Sequence, residues 1–348
     1  MLDNLKYVPV IRFREQERKA FSSTSISNKM APLVEIMMEK PRSNSKEDSI
    51  QTFIREFANL NTMVMLDFPL YLTLGNNTQP VVSQFVRRLK ANPRDRIRLF
   101  LDQRLNLMQN LIPVITYDPT TAFRSGDILY EESQLRPRYE CIAFRIFPNH
   151  FKAALSEISR CITHGDIVIF DIDEQSHYNS VIRQLYPLIS QNIPQTQFTK
   201  VLLRSAIPRD LTNVGLTSGQ IVTEADNGLL TDYSILGFDA FGDYVGVKKD
   251  ELTSGGRISP GYIIYSWSEN AFYGFNGVLN QPVTFETQIV PDLLASSVWG
   301  QYVGSHKANC LGCSVIQDIS RGNKSGKSQP EWKGFAIAHY LYTMEEFL

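Results

Sequence analysis

The chain has 348 residues, of which 43% are hydrophobic and 20% are charged, and its 35 lysines and arginines nearly balance 36 acidic residues. Such a chain can build a large core, as one big domain or as a domain with an appendage. The net charge of -1 gives no strong signal for nucleic acid or for a membrane surface. No segment has the run of about 18 apolar residues that a membrane-spanning helix needs, and four cysteines are too few for a secreted disulfide scaffold. We therefore expect a cytoplasmic protein without a membrane partner.

Short apolar segments recur along the first two thirds of the chain and predict strands that are buried on both faces. They are YVPVIR (7–12), MAPLVEI (30–36), TMVMLDF (62–68), LIPVITYD (111–118), CIAFRIF (141–147), DIVIFDID (166–173) and KVLLRS (200–205). Between them, apolar residues at helical spacing predict helices over 13–21, 46–59, 79–90 and 178–189. This alternation is typical of a parallel sheet with helical crossovers.

Two parallel α/β folds fit this order of elements, the doubly wound sheet and the (β/α)8 barrel. The turn RFREQER, after the first strand, lacks the glycines of nucleotide-binding doubly wound folds. A barrel takes about 250 residues, and FDAFGDYVGV (238–247) is a candidate eighth strand at that distance. We predict a TIM-barrel-like (β/α)8 fold over residues 1–250.

Residues 251–348 differ in composition and predict a C-terminal extension, rich in aromatic residues, Gly and Ser, that packs on the barrel. GYIIYSW followed by FYGFNG predicts a β-hairpin with aromatic faces. Residues 284–302 predict a helix, 303–330 an irregular polar loop, and EWKGFAIAHYLYTMEEF a closing helix.

Every predicted barrel strand carries an ionisable side chain at its end. In a parallel barrel such residues converge on the mouth at the carboxyl ends of the strands. An unpaired charge within an apolar run is costly to bury, so we expect these side chains to pair with each other or with a ligand. The residues are Arg12, Glu35, Asp67, Asp118, Arg145, Asp171 with Asp173, Arg204 and Asp243.

Two interpretations of this cluster stay open. In the first, carboxylates act as catalytic groups and hold a Mg²⁺ or Mn²⁺ ion, while arginines bind the phosphate or carboxylate of a ligand, which suits phosphoester hydrolysis. In the second, the same charges form a closed set of salt bridges that plugs the top of the barrel. The catalytic carboxylates would be Glu35, Asp67, Asp171 and Asp173, the metal ligands Glu35, Asp67 and Asp171, and the binding arginines Arg12, Arg145 and Arg204.

One cysteine motif carries a weaker metal signal. Cys310-Leu-Gly-Cys313, with His306 four residues before the first cysteine, is half of a zinc site, and Cys141 or Cys161 would have to complete it. The alternative is a set of ordinary thiols. For His339, on the closing helix, the local sequence favours a hydrogen-bonded structural histidine.

The segment RGNKSGKS (321–328) has the GKS ending of a phosphate-binding loop. The full motif needs its first glycine at position 321, but this residue is Arg. The motif also needs a helix that begins at the lysine, and Pro330, three residues after Lys327, does not favour such a helix. We interpret the segment as a mobile basic loop.

Several of these segments, in this order, resemble the beta family proteins of phages and bacterial genomes. The similarity covers nearly the whole chain and is carried by YVPVIRFREQERKAF, KMAPLVEI, the strand ending in Asp67, CIAFRIF, GDIVIFDID, FGDYVGV and a GN loop before EWKGFAIAHY. The family pattern has Lys where this chain has Arg12, and a His-His pair where it has His339-Tyr340. The residues it picks out are Arg12, Glu17, Pro32, Glu35, Asp67, Arg145, Asp171, Asp243, Tyr244, Trp332 and His339, so that Asp243, Tyr244, Trp332 and His339 join the ligand-binding candidates.

The resemblance implies phage–host conflict as the setting but no particular reaction. We predict a barrel mouth that binds an anionic, phosphate-bearing ligand, with metal-dependent phosphoester hydrolysis as the activity if the mouth is catalytic. The alternative is a non-catalytic recognition module that binds a phage or host protein through the mouth or through the aromatic residues of 262–276. A further possibility is self-association through the extension; the sequence leaves the oligomeric state open.

Overall fold

Eight parallel strands close into a barrel in the computed structural model, which describes residues 2, 4–42, 44–193, 196–249, 258–326 and 328–348. The strand Ala240–Asp243 (β9) pairs with both Thr199–Leu203 (β7) and Tyr7–Arg12 (β1) and so closes the ring. The strands Gly261–Ser266 (β10) and Ala271–Asn276 (β11) form an antiparallel hairpin that Gln220–Ile221 (β8) joins. The predicted (β/α)8 barrel is confirmed, and each barrel strand overlaps a predicted segment. The strands are β1 (Tyr7–Arg12), β2 (Leu33–Glu35), β3 (Val64–Asp67), β4 (Leu111–Ile115), β5 (Ala143–Ile146), β6 (Ile167–Asp171), β7 (Thr199–Leu203), β8 (Gln220–Ile221), β9 (Ala240–Asp243), β10 (Gly261–Ser266) and β11 (Ala271–Asn276).

Helices surround the barrel and build most of the C-terminal extension. The side chain of Asp48 accepts from the N–H of Gln51 in a capping box, which fixes the start of the helix Ser49–Phe57 (α2). The helix predicted over 178–189 is divided into Ser180–Arg183 and Tyr186–Asn192. Pro187 lies in the first turn of the second helix, where proline is tolerated, whereas it would break the interior of one continuous helix. The helices are α1 (Glu15–Ser22), α2 (Ser49–Phe57), α3 (Pro80–Ala91), α4 (Pro93–Phe100), α5 (Asp127–Leu135), α6 (Phe151–Cys161), α7 (Ser180–Arg183), α8 (Tyr186–Asn192), α9 (Leu229–Asp232), α10 (Val290–Ala295), α11 (Ser297–Gln301), α12 (Gly304–Asn309), α13 (Leu311–Ser320) and α14 (Gln329–Phe347).

The barrel strands divide their side chains between two apolar layers, because successive residues of a strand point to opposite faces. In β1, Val8 and Val10 pack in the barrel interior, whereas Tyr7 and Ile11 pack in the layer between barrel and helices. The inward series of β1 continues to Arg12 at its carboxyl end. Strand alternation therefore aims this charge into the mouth.

The extension has a second apolar core of its own. The hairpin, α10, α13 and one face of α14 contribute to it. The stretch 303–330, predicted to be irregular, contains α12 and α13, so that prediction was wrong. The reason is that Cys313, Ile316 and Ile319 form a short buried face on α13 that its Gly, Ser and Asp residues conceal in the sequence.

The closing helix α14 also packs on the barrel. The Tyr340 hydroxyl donates to Asp243 at the end of β9, and the Tyr7 hydroxyl donates to the other oxygen of the same carboxylate at 2.5 Å. Gly246 has φ of 67°, and a β-carbon there would lie 2.6 Å from Cδ2 of Tyr340. The boundary predicted between residues 250 and 251 falls outside the described residues, so the division into barrel and extension stays a prediction.

None of the helices in the described ranges combines the length and the apolarity that crossing a bilayer would require.

Candidate functional site

Arg145 lies at the centre of a buried ionic network at the carboxyl ends of the barrel strands. Its Nη1 donates to Glu35 Oε1 at 2.7 Å and to Asp67 Oδ2 at 3.0 Å. Its Nε and Nη2 donate to Asp171 Oδ2 at 3.1 and 2.6 Å, and Nη2 also donates to the Tyr244 hydroxyl at 2.8 Å. All five side chains are buried. The structure thus brings these sequence-predicted residues together, in the paired arrangement that the salt-bridge interpretation describes.

Arg12 lies beside this network. Parallel pairing places Arg12 next to Glu35, and Glu35 next to Asp67, at the ends of β1, β2 and β3. Nε of Arg12 lies 3.5 Å from Oε2 of Glu35, and the Tyr71 hydroxyl donates to Oε1 of the same carboxylate at 2.6 Å. Glu35 therefore faces two guanidinium groups and a phenol.

A second buried arginine, Arg96 of α4, supports the network from outside the barrel. It donates to Asp67 Oδ1 at 3.2 Å and to Glu131 Oε1 at 2.6 Å. The sequence analysis missed Arg96 because it lies in a helix rich in charges. Its burial could have been predicted from its position next to Ile97 and four residues before Phe100, because these apolar residues mark the buried face of α4.

The carboxyl groups of this network differ in their pKa shifts. Burial acts to raise the pKa of Glu35, but the guanidiniums of Arg145 and Arg12 outweigh it, so this pKa lies below its ordinary value. Burial raises the pKa of Asp67 although Arg96 and Arg145 oppose it. Glu35 and Asp67 are therefore not equivalent: the neighbours of Glu35 favour its ionised form, whereas burial disfavours the ionised form of Asp67.

A cavity of about 240 Å³ adjoins the network at the mouth of the barrel. Three cationic side chains and two carboxylates line it: Arg12, Arg209, Lys249, Asp171 and Asp173. Aromatic and small polar side chains complete the wall, among them Tyr71, Phe147, Thr73, Thr120 and Asn149. The cavity therefore combines fixed charges with surfaces that suit the body of a small organic ligand.

Lys249 is a buried cation on the wall of this cavity. Its Nζ donates to Asp173 Oδ1 at 2.9 Å and lies 4.3 and 4.7 Å from the ring centroids of Tyr71 and Tyr244. Burial acts to lower the pKa of Lys249, but Tyr71, Asp171 and Asp173 outweigh it and the pKa lies above its ordinary value. The sequence analysis missed Lys249, because a charged KKD after the last barrel strand resembles ordinary surface.

Two turns at the mouth have strained backbone. Asp173 and Val245 have φ of 56° and 50°. Residues other than glycine rarely adopt this left-handed backbone conformation, and β-branched residues adopt it least of all. Each follows a strand-end aspartate that accepts its N–H at 2.8 Å, Asp171 for the first and Asp243 for the second. Such strain is concentrated at functional sites, which supports a role for this end of the barrel.

Other strand-end candidates do not join the network around Arg145. Arg204 donates to Asp226 Oδ2 at 2.6 Å and to the carbonyl of Gln175 at 3.0 Å. Asp243 lies behind β9, between the barrel and α14, and Asp118 pairs with Lys90 at 2.8 Å. Asp243 ends β9 and Arg204 directly follows β7, as predicted, whereas Asp118 lies three residues beyond the end of β4.

The two candidates on α14 lie in the extension. Nε1 of Trp332 donates to the carbonyl of Gly326 at 2.6 Å, and its ring stacks on Phe285 with centroids 4.6 Å apart. His339 Nε2 lies 3.0 Å from the carbonyl oxygen of Tyr265. The structure does not bring Trp332 or His339 to the mouth.

The aromatic hairpin and the cysteines differ from expectation. The predicted partner-binding face comprised Tyr262, Tyr265, Trp267, Phe272, Tyr273 and Phe275. Five of these side chains are buried, and Trp267 is half-buried and stacks on Phe347, so the prediction of such a face was wrong. His339 lies beside the cysteine pair of α13, because α14 packs directly on α13. The prediction that Cys141 or Cys161 completes a zinc site with this pair was also wrong, because those two cysteines belong to the barrel. Sγ of Cys141 donates to Gly165 O at 3.1 Å, and Cys161 ends α6.

The segment RGNKSGKS follows helix α13 where a phosphate-binding loop would follow a strand. Ser325 Oγ and the N–H of Gly326 donate to Glu286 at 2.9 and 2.7 Å. Lys327 lies outside the described residues. The preceding helix is not the geometry of a phosphate-binding loop, and the interpretation as a mobile basic loop stays a prediction.

The closed barrel, with charged residues and a cavity at the carboxyl ends of its strands, defines a TIM-barrel-like α/β protein. The chain belongs to the Beta protein family, whose model matches residues 7–345. This match spans barrel and extension and confirms the resemblance seen in the sequence. No curated protein and no solved structure matches the chain.

Proposed function

We propose that the barrel mouth binds a small ligand that carries an anionic, phosphate-bearing group. The observation that carries the proposal is the position of three cations, Arg12, Arg209 and Lys249, on the wall of one cavity. Guanidinium and ammonium groups donate strong charge-assisted hydrogen bonds to phosphate oxygens. Ligands of parallel barrels bind at this end of the strands.

The distribution of charge around the cavity supports an anion. Both oxygens of Asp171 already accept hydrogen bonds, from Arg145 and from the N–H of Asp173. Lys249 and Arg209 both contact the single carboxylate of Asp173, and Arg209 also contacts Glu174. A phosphate that enters would share these cations, and it would contact them in a partly desolvated space where such pairing is strong.

The remaining wall indicates a compact ligand. The volume of about 240 Å³ lies below the range of about 300 to 1,000 Å³ that is usual for ligand pockets. Tyr71 and Phe147 offer ring surfaces, and Thr73, Thr120 and Asn149 offer hydroxyl and amide groups to an adjoining sugar or ring. A phosphorylated sugar or a mononucleotide matches this combination better than a longer chain.

The test is a thermal-shift comparison of matched compounds, ribose with ribose 5-phosphate and adenosine with AMP, together with inorganic phosphate. We expect the melting temperature to rise only with phosphorylated compounds, to lose that rise in Lys249→Met, and to keep it in Arg160→Met. Arg160 is exposed in the last turn of α6 and controls for general charge loss. Equal shifts in Lys249→Met and wild type would refute the proposal.

Metal-dependent phosphoester hydrolysis at this mouth stays a prediction with its own test. Glu35, Asp67 and Asp171 would hold Mg²⁺ or Mn²⁺, with Asp173 as a further catalytic carboxylate, and the ion would have to compete with the Arg145 guanidinium that these three carboxylates contact. Chelator-treated protein is titrated with either ion, beside Asp67→Asn/Asp171→Asn. A saturable rise in stability with either ion that is lost in the double variant supports the metal centre. If neither ion stabilises the protein, metal-dependent hydrolysis is refuted and the proposal of ligand binding without a metal is unaffected.

The biological setting that we propose is phage–host conflict in the bacterial cytoplasm, which rests on the resemblance to proteins of phages and bacterial genomes. Phage plating on cells that express wild type or Lys249→Met tests it. Protection that needs Lys249 supports a ligand-dependent role. Protection that survives the substitution, with a co-purifying phage or host protein, supports the alternative of a non-catalytic recognition module.

A further inference from the structure

Four potential metal ligands meet inside the extension, apart from the barrel mouth. They are His306 of α12, Cys310 and Cys313 at the start of α13, and His339 of α14, and all four are buried. Their ligand atoms lie within 4.8 Å of one another. Nδ1 of His339 is 3.4 Å from Sγ of Cys313 and 3.9 Å from Sγ of Cys310. The group joins the consecutive helices α12 and α13 to α14.

The spacing of these atoms suits a tetrahedral ion after a small closure. Zinc bonds of about 2.0 Å to nitrogen and 2.3 Å to sulfur place neighbouring ligand atoms roughly 3.3 to 3.8 Å apart. The ligand atoms of this cluster are at most 4.8 Å apart, so side-chain movements of about 1 Å would bring them to the spacing of a zinc site. Two thiolates with two imidazoles are a ligand set of structural zinc sites.

Hydrogen bonds outside the cluster orient both histidines toward its centre. His306 Nδ1 lies 2.5 Å from Oε2 of Glu346, and His339 Nε2 lies 3.0 Å from the carbonyl oxygen of Tyr265. Metal-binding histidines usually donate their second N–H to such a carboxylate or carbonyl. These contacts leave His306 Nε2 and His339 Nδ1 for a metal.

The free nitrogen of His306 is a second, independent sign. Its Nε2 is buried and has no hydrogen-bond partner in the described part of the chain. A buried polar nitrogen without a partner costs free energy, which a metal bond would remove.

We propose that His306, Cys310, Cys313 and His339 bind one Zn²⁺ ion in a closed structural site. The protein supplies all four ligands and buries them, so no coordination position is open for a substrate. The ion ties α12 and α13 to α14 and, through the Tyr265 carbonyl, to β10. It would stabilise the extension core, independently of the ligand proposed for the mouth.

Gly312 explains why the two cysteines can reach α14. A β-carbon at Gly312 would lie 2.3 Å from the carbonyl oxygen of Phe335 and 3.0 Å from the backbone nitrogen of His339. The two helices therefore approach most closely between the cysteines. A larger residue there would move Cys310 and Cys313 away from His339.

The first experiment measures zinc in the purified full-length protein by plasma mass spectrometry. We expect about one zinc per chain, as for a single structural site, with most of it lost in Cys310→Ser and in Cys313→Ser. Cys141→Ser and Cys161→Ser are matched controls, because both cysteines lie outside the cluster, and they keep the metal. Equal zinc contents in Cys313→Ser and Cys141→Ser would overturn the proposal.

The second experiment does not depend on the folding of a disrupted variant. Wild type expressed with Co²⁺ should show the visible bands of a tetrahedral ion and a thiolate-to-cobalt charge-transfer band. Glu346→Gln should keep these bands and bind zinc about 10- to 100-fold more weakly, as expected when a hydrogen-bond partner of a ligand is removed. Reduced wild type that takes up neither metal, or a Cys310–Cys313 disulfide that forms in place of metal binding, overturns the proposal.

Discussion

Arg145 has its charge distributed over three carboxylates that it contacts inside the barrel. Each of these pairs is fully buried, so solvent screens none of them. Removal of one partner from such a network leaves uncompensated buried charges, which is far more costly than the loss of an exposed ion pair. Stability at this end of the barrel therefore depends on Arg145.

We expect Arg145→Met to lower the free energy of unfolding by about 3 to 5 kcal/mol. The measurement is urea denaturation followed by circular dichroism. The control is Arg88→Met, which removes an exposed pair with Glu39 and should cost at most about 1 kcal/mol. Similar losses in the two variants would show that the Arg145 network is not a stabilising unit.

Asp243 predicts a dependence of stability on pH. Burial raises its pKa to about 6 although the hydroxyls of Tyr340 and Tyr7 act to lower it. Because the folded protein holds this proton more tightly than the unfolded chain, the stability it contributes is present below about pH 4 and lost as pH rises through about 6. Relative to Asp243→Asn, wild type should lose about 3 kcal/mol across that interval. Urea denaturation of both proteins at several pH values measures this, and a constant difference would contradict it.

At the mouth, strand alternation made part of the site predictable. Arg12, Glu35, Asp67, Arg145 and Asp171 end apolar strands in inward-facing positions, so closure of the barrel brings them together. Whether these charges neutralise each other or face a ligand depends on side-chain geometry that the sequence does not encode locally.

The missed residues share one physical reason. Lys249, Arg209 and Arg96 reach the site from loops and a helix, and their ordinary charged surroundings give no sign of burial. His339 likewise meets the cysteine pair only through the packing of α14 on α13. Contacts between elements far apart in sequence are the part that pattern alone could not predict.

Among the elements, α14 connects the extension core to the barrel. Its residue Tyr340 packs over Gly246, whose φ of 67° and close approach both favour glycine. Elements with long apolar runs, such as the barrel strands, were predictable, whereas α12 is short and α13 carries its apolar face on few residues.

The docking of α14 can be tested with two glycine substitutions. Gly165 also has positive φ, 87°, but a β-carbon there meets nothing within 4 Å. Gly165→Ala should therefore cost only the backbone strain of about 1 to 2 kcal/mol. Gly246→Ala should cost a further 1 to 3 kcal/mol, roughly, because its methyl group overlaps Tyr340. Equal losses of unfolding free energy in urea would show that α14 does not pack tightly at this point.

For the whole molecule, the contacts of α14 with the barrel predict one cooperative unit. All three tryptophans, Trp267, Trp299 and Trp332, lie in the extension, so their fluorescence reports on it, whereas far-UV circular dichroism also reports on the barrel. We expect both signals to change at the same urea concentration, as two-state unfolding requires. Separate transitions would show that the extension unfolds independently.

The central claim is that the mouth binds a phosphate-like anion through its cations. The most direct measurement is the anomalous scattering of tungstate, a heavy-atom analogue of phosphate, in crystals of the full-length protein. Our account predicts a strong peak in the cavity, within hydrogen-bond distance of Lys249 Nζ, and its disappearance in crystals of Lys249→Met. Tungstate bound only elsewhere, for example at the basic segment 321–328, with an empty mouth, would contradict it.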